Sequence, residues 1–507
     1  MREKEERCSS FCAFARKGQN LSLANSGKIG IMKNILRKCA RWGQKGEHMA
    51  VRKHKFGLWL KKHRILLAPT QIIALTFAAI ILAGALLLTL PISSRSGESS
   101  GFLTALFTAT SATCVTGLVL VDTWTQWSGF GQGVILAMIE IGGLGFMSAA
   151  AIVVFMLHRR VGLKQRLVMA QAISAPDMEG VVRLQKWVLF GSLGIQAVGA
   201  LILFLRFLPE FGLRKAAIWG VFHAISAFCN AGFDIFGCIE PGQSVIIFND
   251  DPVILCTLAG LVILSSLGFF VWEDVATKRS WKKLSVYTRL VLLTTLTLLL
   301  GGTVLILLLE WSNPATMGNM TVPQKILNAF FQSVTLRTAG FSGVDQASLT
   351  DAGKVVSMVL MFIGGSSGST AGGVKTVTMV VLLLFVWNRM RGRETVCVFK
   401  RTIPKDKILD ALTIVTIVMV LAVAGGVFIC AVSGFSFGDA MYETVSALAT
   451  VGLSSGGSGN LGVFGKLLII MYMYFGRVGV LTLSLGFLLG NRAEERFRYA
   501  ETNLLIG

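Results

Sequence analysis

Phe107-Thr-Ala-Thr-Ser-Ala-Thr-Cys-Val-Thr-Gly117-Leu118 decides the fold, because its punctuation returns three more times. The later copies are Phe222-His-Ala-Ile-Ser-Ala-Phe-Cys-Asn-Ala-Gly232-Phe233, Phe330-Phe-Gln-Ser-Val-Thr-Leu-Arg-Thr-Ala-Gly340-Phe341 and Tyr442-Glu-Thr-Val-Ser-Ala-Leu-Ala-Thr-Val-Gly452-Leu453. Each has an aromatic residue ten positions before a glycine, and Leu or Phe directly after it. The glycines recur roughly every 110 residues, each copy lying between two long apolar runs. Such a repeat predicts four units of helix, short re-entrant segment and helix, arranged about a central axis.

Composition sets the solvent. The 507 residues are 53% hydrophobic and 15% charged, against about 25% charged in soluble domains. Apolar runs of about twenty residues suffice to cross about 30 Å of hydrocarbon. The runs are continuous rather than alternating, which predicts helices and not a β-barrel. The net charge of +21 does not point to nucleic acid, because Lys and Arg gather in the loops on one side of the predicted bundle. The nine cysteines form no CxxC pair and have no His at metal-ligand spacing. Cys114, Cys229, Cys256 and Cys430 fall in or beside apolar stretches and read as small buried thiols.

Eight spans are read, at about 67–91, 134–157, 187–208, 252–272, 288–309, 354–386, 409–432 and 467–490. They group as four repeats, 67–160, 187–275, 288–390 and 409–490. Residues 1–66 form a basic cytoplasmic arm without the apolar stretch of a secretory signal, suited to anionic lipid. Residues 491–507 form a short cytoplasmic tail. The loop after span two carries Arg159, Arg160, Lys164, Arg166, Arg183 and Lys186, and that after span four Lys278, Arg279, Lys282, Lys283 and Arg289. Arg389, Arg391, Arg393, Lys400, Arg401, Lys405 and Lys407 follow span six. Arg206, Arg214 and Lys215 blur the contrast in one opposite loop. The positive-inside bias makes both termini cytoplasmic and puts all four glycine segments on the outer side.

About fifteen moderately apolar residues precede each glycine, too few to span and enough for a half-helix dipping inwards. The C-terminal end of such a half-helix brings negative dipole to the membrane centre, which suits a cation. Non-helical backbone at that depth is tolerated where it lines a water-filled path. Glycine lets that backbone turn its carbonyls one way.

On these features the chain resembles the Ktr/Trk/HKT superfamily of potassium transporters, and within it the bacterial Ktr membrane subunit, over about residues 67–507. Thr113-Cys-Val-Thr-Gly117-Leu118 resembles a degenerate potassium-channel filter strand, and Arg337-Thr-Ala-Gly340-Phe341 and Ala449-Thr-Val-Gly452-Leu453-Ser454 look like the family's. The resemblance implies an all-α membrane protein of four helix–pore-loop–helix repeats around a central ion pore. It places K+ at Gly117, Gly232, Gly340 and Gly452. Cys114, Val115, Thr116, Cys229, Asn230, Ala231, Thr338, Ala339, Thr450 and Val451 then complete the selectivity filter. Plant relatives with serine in the first filter tend towards sodium, so four glycines imply potassium, with carbonyls replacing the hydration shell.

Span six is interrupted by Gly364-Gly365-Ser366-Ser367-Gly368-Ser369-Thr370-Ala371-Gly372-Gly373, then Lys375. So much glycine and serine makes a poor helix, a kink or a small-residue packing face on residues alone. The resemblance implies an intramembrane gate loop. Lys375 is expected to meet a carbonyl or an acid there, or to face a wet cavity. Arg477 lies within an apolar helix, where a guanidinium costs about 2.5–3.5 kcal/mol and marks a pathway unless it serves a structural ion pair. By resemblance it sits below the filter as a barrier to cations, with a glutamate or the gate loop as partner. Glu140, beside the close-packing run Gly142-Gly143-Leu144-Gly145, pairs with a basic group or lines the lower cavity. Asp122, Asp234 and Asp345 read as vestibule carboxylates or loop caps, and His223 as a helix-surface residue.

The implied function is potassium uptake in a bacterial inner membrane, stimulated by Na+ and needing no cofactor in this chain. The implied assembly is a homodimer working with an octameric ring of cytosolic nucleotide-binding regulatory subunits. No GxGxxG follows a strand, so nucleotide sensing falls to that partner. The first 64 residues cannot supply the extra helix pair of Trk-type relatives, which favours the Ktr branch. A secondary cation symporter would show inverted repeats, whereas these share one orientation. An enzyme would need a convergent catalytic set, and none is found.

Overall fold

The computed structural model describes residues 69–145 and 181–479. The basic arm, the tail, the later part of expected span 134–157 and the end of expected span 467–490 lie outside the described residues, as do Arg159, Arg160, Lys164 and Arg166.

Apolar sequence and local capping explain the helices. α1 (Pro69–Thr89) is followed by α2 (Phe102–Thr113) and α3 (Gly129–Leu144). Ser128 caps α3 by accepting from the Gly131 amide at 3.3 Å. α4 (Val181–Phe228) fuses an outer helix to a second glycine-bearing half-helix across a break at Gly212, where φ is 74°. α5 (Pro252–Leu267) begins with proline in its first turn, and Asp251 accepts from the Val253 and Ile254 amides. α6 (Phe269–Lys278) then turns away from α5 by 88°, so the expected unbroken span 252–272 is in fact an elbow at Gly268. α7 (Val286–Glu310) and α8 (Val322–Thr335) follow. The expected span 354–386 is two helices, α9 (Asp351–Phe362) and α10 (Thr376–Met390), with the Gly/Ser stretch between them. An antiparallel hairpin pairs β1 (Cys397–Val398) with β2 (Arg401–Thr402). α11 (Lys405–Ser433), α12 (Phe437–Ala449) and α13 (Val463–Val478) complete the described chain.

Four of the described helices are long and apolar enough to cross a membrane, and a fifth if α5 and α6 count as one bent span. Large side chains stand exposed along them: Leu201 and Leu205 on α4, Leu296, Leu300 and Leu308 on α7, Val420 and Val427 on α11. Apolar surface of that extent is at home against lipid rather than water.

The packing order is cyclic. α3 packs on α4, α5 on α8, α9 on α12, and α13 returns to α2. Every helix that carries or precedes a glycine segment thus meets the helix that follows the previous glycine. This arrangement gathers the four glycine segments at the centre.

Candidate functional site

The four glycines meet in a closed ring. A Cβ placed on Gly117 would lie 2.5 Å from the Ala231 carbonyl oxygen and 3.3 Å from the Gly232 Cα. One on Gly232 would lie 2.7 Å from the Gly340 Cα, and one on Gly340 would lie 2.6 Å from the Val451 carbonyl oxygen and 3.4 Å from the Gly452 Cα. Gly452 closes the circuit: a Cβ placed there would lie 3.0 Å from the Gly117 Cα and run into the Thr116 carbonyl oxygen. All four glycines have positive φ, at 95°, 68°, 81° and 99° in chain order. Two residues ahead of each stands a second left-handed residue: Val115, Asn230, Thr338 and Thr450, at 55°, 60°, 65° and 52°. For the β-branched three this is a rare backbone state. Repeated at four equivalent places, it reads as a shared requirement rather than local accident.

Side chains of the preceding half-helices hold that backbone. Ser111 Oγ accepts from the Gly117 amide at 3.0 Å, and Ser446 Oγ accepts from the Gly452 amide at 3.1 Å. Ser226 Oγ donates to the Phe233 carbonyl at 2.7 Å, and Thr335 Oγ1 to the Phe341 carbonyl at 2.8 Å. The sequence reading passed over these four residues. Their signal was available, because a serine stands six positions before the glycine in three of the four stretches. The flanking Leu118, Phe233, Phe341 and Leu453 are all buried and anchor the far side of each turn. Every residue expected at the filter is buried with the ring: Cys114, Val115, Thr116, Cys229, Asn230, Ala231, Thr338, Ala339, Thr450 and Val451. Arg337 is buried too, with its Nε and Nη2 lacking protein partners.

Above the ring lies a cavity of about 400 Å³ whose floor is the four glycines. Asp122 and Asp234 both line it, while Asp345 is not among its lining residues. Asp122 also caps the turn Thr123–Gln126 through the Thr125 amide at 2.8 Å. Asp345 is a turn cap that accepts from the Ala347 amide. The half-buried Asp234 carboxyl is pushed up to about 6, chiefly by desolvation. His223 is not on a helix surface. It is fully buried, stacks on Phe236 at 3.9 Å between ring centres, and accepts from the Ile235 amide at 3.3 Å.

Below the ring, the stretch Gly364–Gly373 packs directly under the fourth segment. A Cβ on Gly373 would meet Ala449 Cβ at 3.4 Å, and one on Gly372 would meet the Ala449 carbonyl oxygen at 2.9 Å. The stretch is a closed loop rather than a kink, since the Gly364 amide donates to the Val374 carbonyl at 2.9 Å. Within it Gly365, Ser366, Ala371 and Gly372 are buried, whereas Ser367, Gly368 and Ser369 are half-buried. Lys375 Nζ donates to the Ala371 carbonyl at 2.7 Å. Arg477 donates to the carbonyls of Thr370, Gly142 and Gly143, the last at 3.1 Å. Its partner is therefore the loop and the C-terminal end of α3, where a cation also meets the negative helix dipole. Glu140 does not pair with a basic group among the described residues. It accepts from Gln196 Nε2 at 3.1 Å and from Cys229 Sγ at 3.3 Å.

Comparison with known proteins bears on the fold and the family. The fold matches the crystal structure of the potassium transporter TrkH from Vibrio parahaemolyticus, with a TM-score of 0.66 at 18% identity, over 83% of this chain and 86% of that one. The potassium/sodium uptake protein NtpJ of Enterococcus hirae is 40% identical over 456 residues, 88% of this chain and 99% of that protein. The Ktr system potassium uptake protein B of Bacillus subtilis is 37% identical over 460 residues, 90% of this chain and all of that protein. These relatives are transport proteins and not enzymes. Residues 50–495 match the family described as TrkH, cation transport protein, and the chain belongs to that family.

Proposed function

We infer that this chain takes up potassium across a bacterial cell membrane by passing the ion through the ring of Gly117, Gly232, Gly340 and Gly452. The observation that carries this reading is the closed glycine circuit with a left-handed residue two places ahead of each member. Alternating backbone handedness turns successive carbonyls towards one axis, where they replace the hydration shell of a cation. The buried Thr116 and Thr450 hydroxyls beside the ring lack protein partners. Eight spans in four repeats, with both termini cytoplasmic, put the cavity that holds Asp234 outside the cell. The loop Gly364–Gly373 with Lys375 and Arg477 is the gate below. A cytosolic nucleotide-binding partner, arranged as an octameric ring, acts on that gate, and the membrane subunit works as a homodimer with sodium as a stimulating ion. The arm 1–66 lies on anionic lipid. The Ktr system names of the relatives support a multi-subunit arrangement.

Rubidium and potassium uptake into uptake-deficient cells, with and without sodium and with the partner supplied, tests the reading. Wild type should restore uptake, and Gly117→Ser should lower the preference for potassium over sodium. No protein-dependent cation uptake would sink the pore, and an unchanged preference would sink the role of the ring in selection. A sodium-permeable version of the same pore is the second reading, favoured by the potassium/sodium name of one relative. A wild type that takes up sodium as readily as potassium would establish it.

A further inference from the structure

The gate loop is held from two sides, and the assignment of Arg477 accounts for only one. On the other side stands the elbow between α5 and α6. The Ser366 amide donates to the Ser266 carbonyl at 3.1 Å, and Ser366 Oγ donates to the same oxygen at 2.8 Å and to the Leu267 carbonyl. The Phe269 amide, first in α6, donates to the Gly368 carbonyl at 2.8 Å. Between these two contacts, Tyr287 Oη of α7 donates to the Ser367 carbonyl at 2.9 Å. Three consecutive loop residues are thereby fixed by three separate elements, α5, α7 and α6.

The elbow is shaped for this. Gly268 has φ 91°, and a Cβ there would stand 2.9 Å from the Ser367 carbonyl oxygen and 3.0 Å from Ser366 Oγ. The 88° turn is what leaves the first amide of α6 free to reach the loop, since an unbroken helix would spend it on a carbonyl four residues back. Trp272 Nε1 donates to the Leu264 carbonyl at 2.9 Å and staples the bend. Asp274 accepts from the Ser285 amide at 2.9 Å, so α6 and the start of α7 are tied together on the side away from the glycine cavity. The same end of α5 also reaches the ring. Asn230 Nδ2 donates to Ser266 Oγ at 2.9 Å, and Ser265 Oγ donates to Asn230 Oδ1 at 2.6 Å.

We propose that Tyr287 and the Gly268 elbow form a latch that holds the 364–373 loop shut independently of Arg477. The proposal rests on the gate reading of that loop. Tyr287 is a positioning residue. It acts through the Ser367 carbonyl. A loop that must leave the path to admit ions has to break the bonds at 366, 367 and 368 as well as the bond at Thr370. Removing the Tyr287 hydroxyl takes one neutral hydrogen bond from the closed state, worth a factor of about five in the open-to-closed balance.

Rubidium uptake by the full-length chain in uptake-deficient cells, normalised to membrane abundance, separates the possibilities. Tyr287→Phe should raise the maximal rate about five-fold and leave KM unchanged, because the ring is untouched. Gly268→Ala, which pushes on Ser367 and Ser366, should raise the maximal rate as well. Deletion of residues 365–372 tests the gate itself and should raise it furthest. If the deletion raises flux and both substitutions leave it at the wild-type rate, the latch is overturned and the gate stands. If the deletion leaves flux unchanged, the gate reading fails and the latch with it. A Tyr287→Phe protein of normal abundance with a changed KM and an unchanged maximal rate would also overturn the proposal.

Discussion

Gly452 shows most sharply what the ring asks of one residue. Its φ is 99°, and any side chain there meets the Thr116 carbonyl and the Gly117 Cα. Left-handed backbone costs a non-glycine residue roughly 1–3 kcal/mol, and the clash falls on backbone that cannot step aside. Gly452→Ala should therefore reduce rubidium uptake to below about a tenth of wild type, with protein still present in the membrane. Gly133→Ala in α3 is the matched control, because a Cβ there meets nothing within 4 Å. Equal losses in both, normalised to membrane abundance, would dissociate the ring from transport. Asp234 makes a second residue-level prediction. Its carboxyl is raised to about 6 by desolvation, so it is charged above that pH and neutral below it. As pH on the cavity side falls from 7.5 to 5, the cavity loses a negative charge; if that charge draws cations in, uptake at low potassium should fall. Asp234→Asn should be slower at pH 7.5 and should flatten the profile between pH 7 and 5. A profile identical to that of wild type would remove Asp234 from cation attraction.

At the scale of elements, the strap through Arg477 joins α13, the Gly364–Gly373 loop and the C-terminal end of α3. Arg477→Lys keeps the charge and loses the fork, which cannot be replaced by a point charge across three carbonyls. Arg477→Ala loses both. Potassium flux should rise in Arg477→Ala and rise less in Arg477→Lys if charge and strap both restrain the ion. Equal rises would assign the whole effect to the strap, and no rise in either would detach Arg477 from gating. The elements also mark where sequence reading works and where it stops. The break between α9 and α10 was legible, because so much glycine and serine cannot remain helical in an apolar run. The elbow at Gly268 was not, since Leu267-Gly268-Phe269 carries no polar signal. The bend is made by a tertiary partner, the Gly368 carbonyl, which lies a hundred residues away in the chain. The ring glycines were legible from their spacing, yet the Ser111, Ser226, Thr335 and Ser446 tethers were not recognised, because serine in an apolar helix has several other uses. His223 was misread for a related reason. An imidazole on a half-helix looks solvent-facing until Phe236 folds back over it.

Among the described residues the helices form a cycle in which the last returns to the first two. α13 packs on α2, and Tyr474 Oη of α13 donates to the Ala74 carbonyl of α1 at 2.8 Å, joining residues 400 positions apart. Each half of the chain carries two ring glycines, with the division falling near the linker between α6 and α7. The seams between the halves, α5 on α8 and α13 on α2, are surfaces that preformed helices can meet after insertion into a bilayer. Two chains, residues 1–280 and 281–507, should therefore restore part of the rubidium uptake when expressed together, and neither should do so alone. The cut removes the covalent tie at Ser280 but keeps Asp274 and Ser285 able to meet across it. Residual activity of the joined halves should show the wild-type preference among cations, because the ring they rebuild is chemically the same. A half that transports alone, at membrane abundance equal to that of the pair, would mean that two glycines from one chain suffice, and the four-membered ring would lose its claim to be the path.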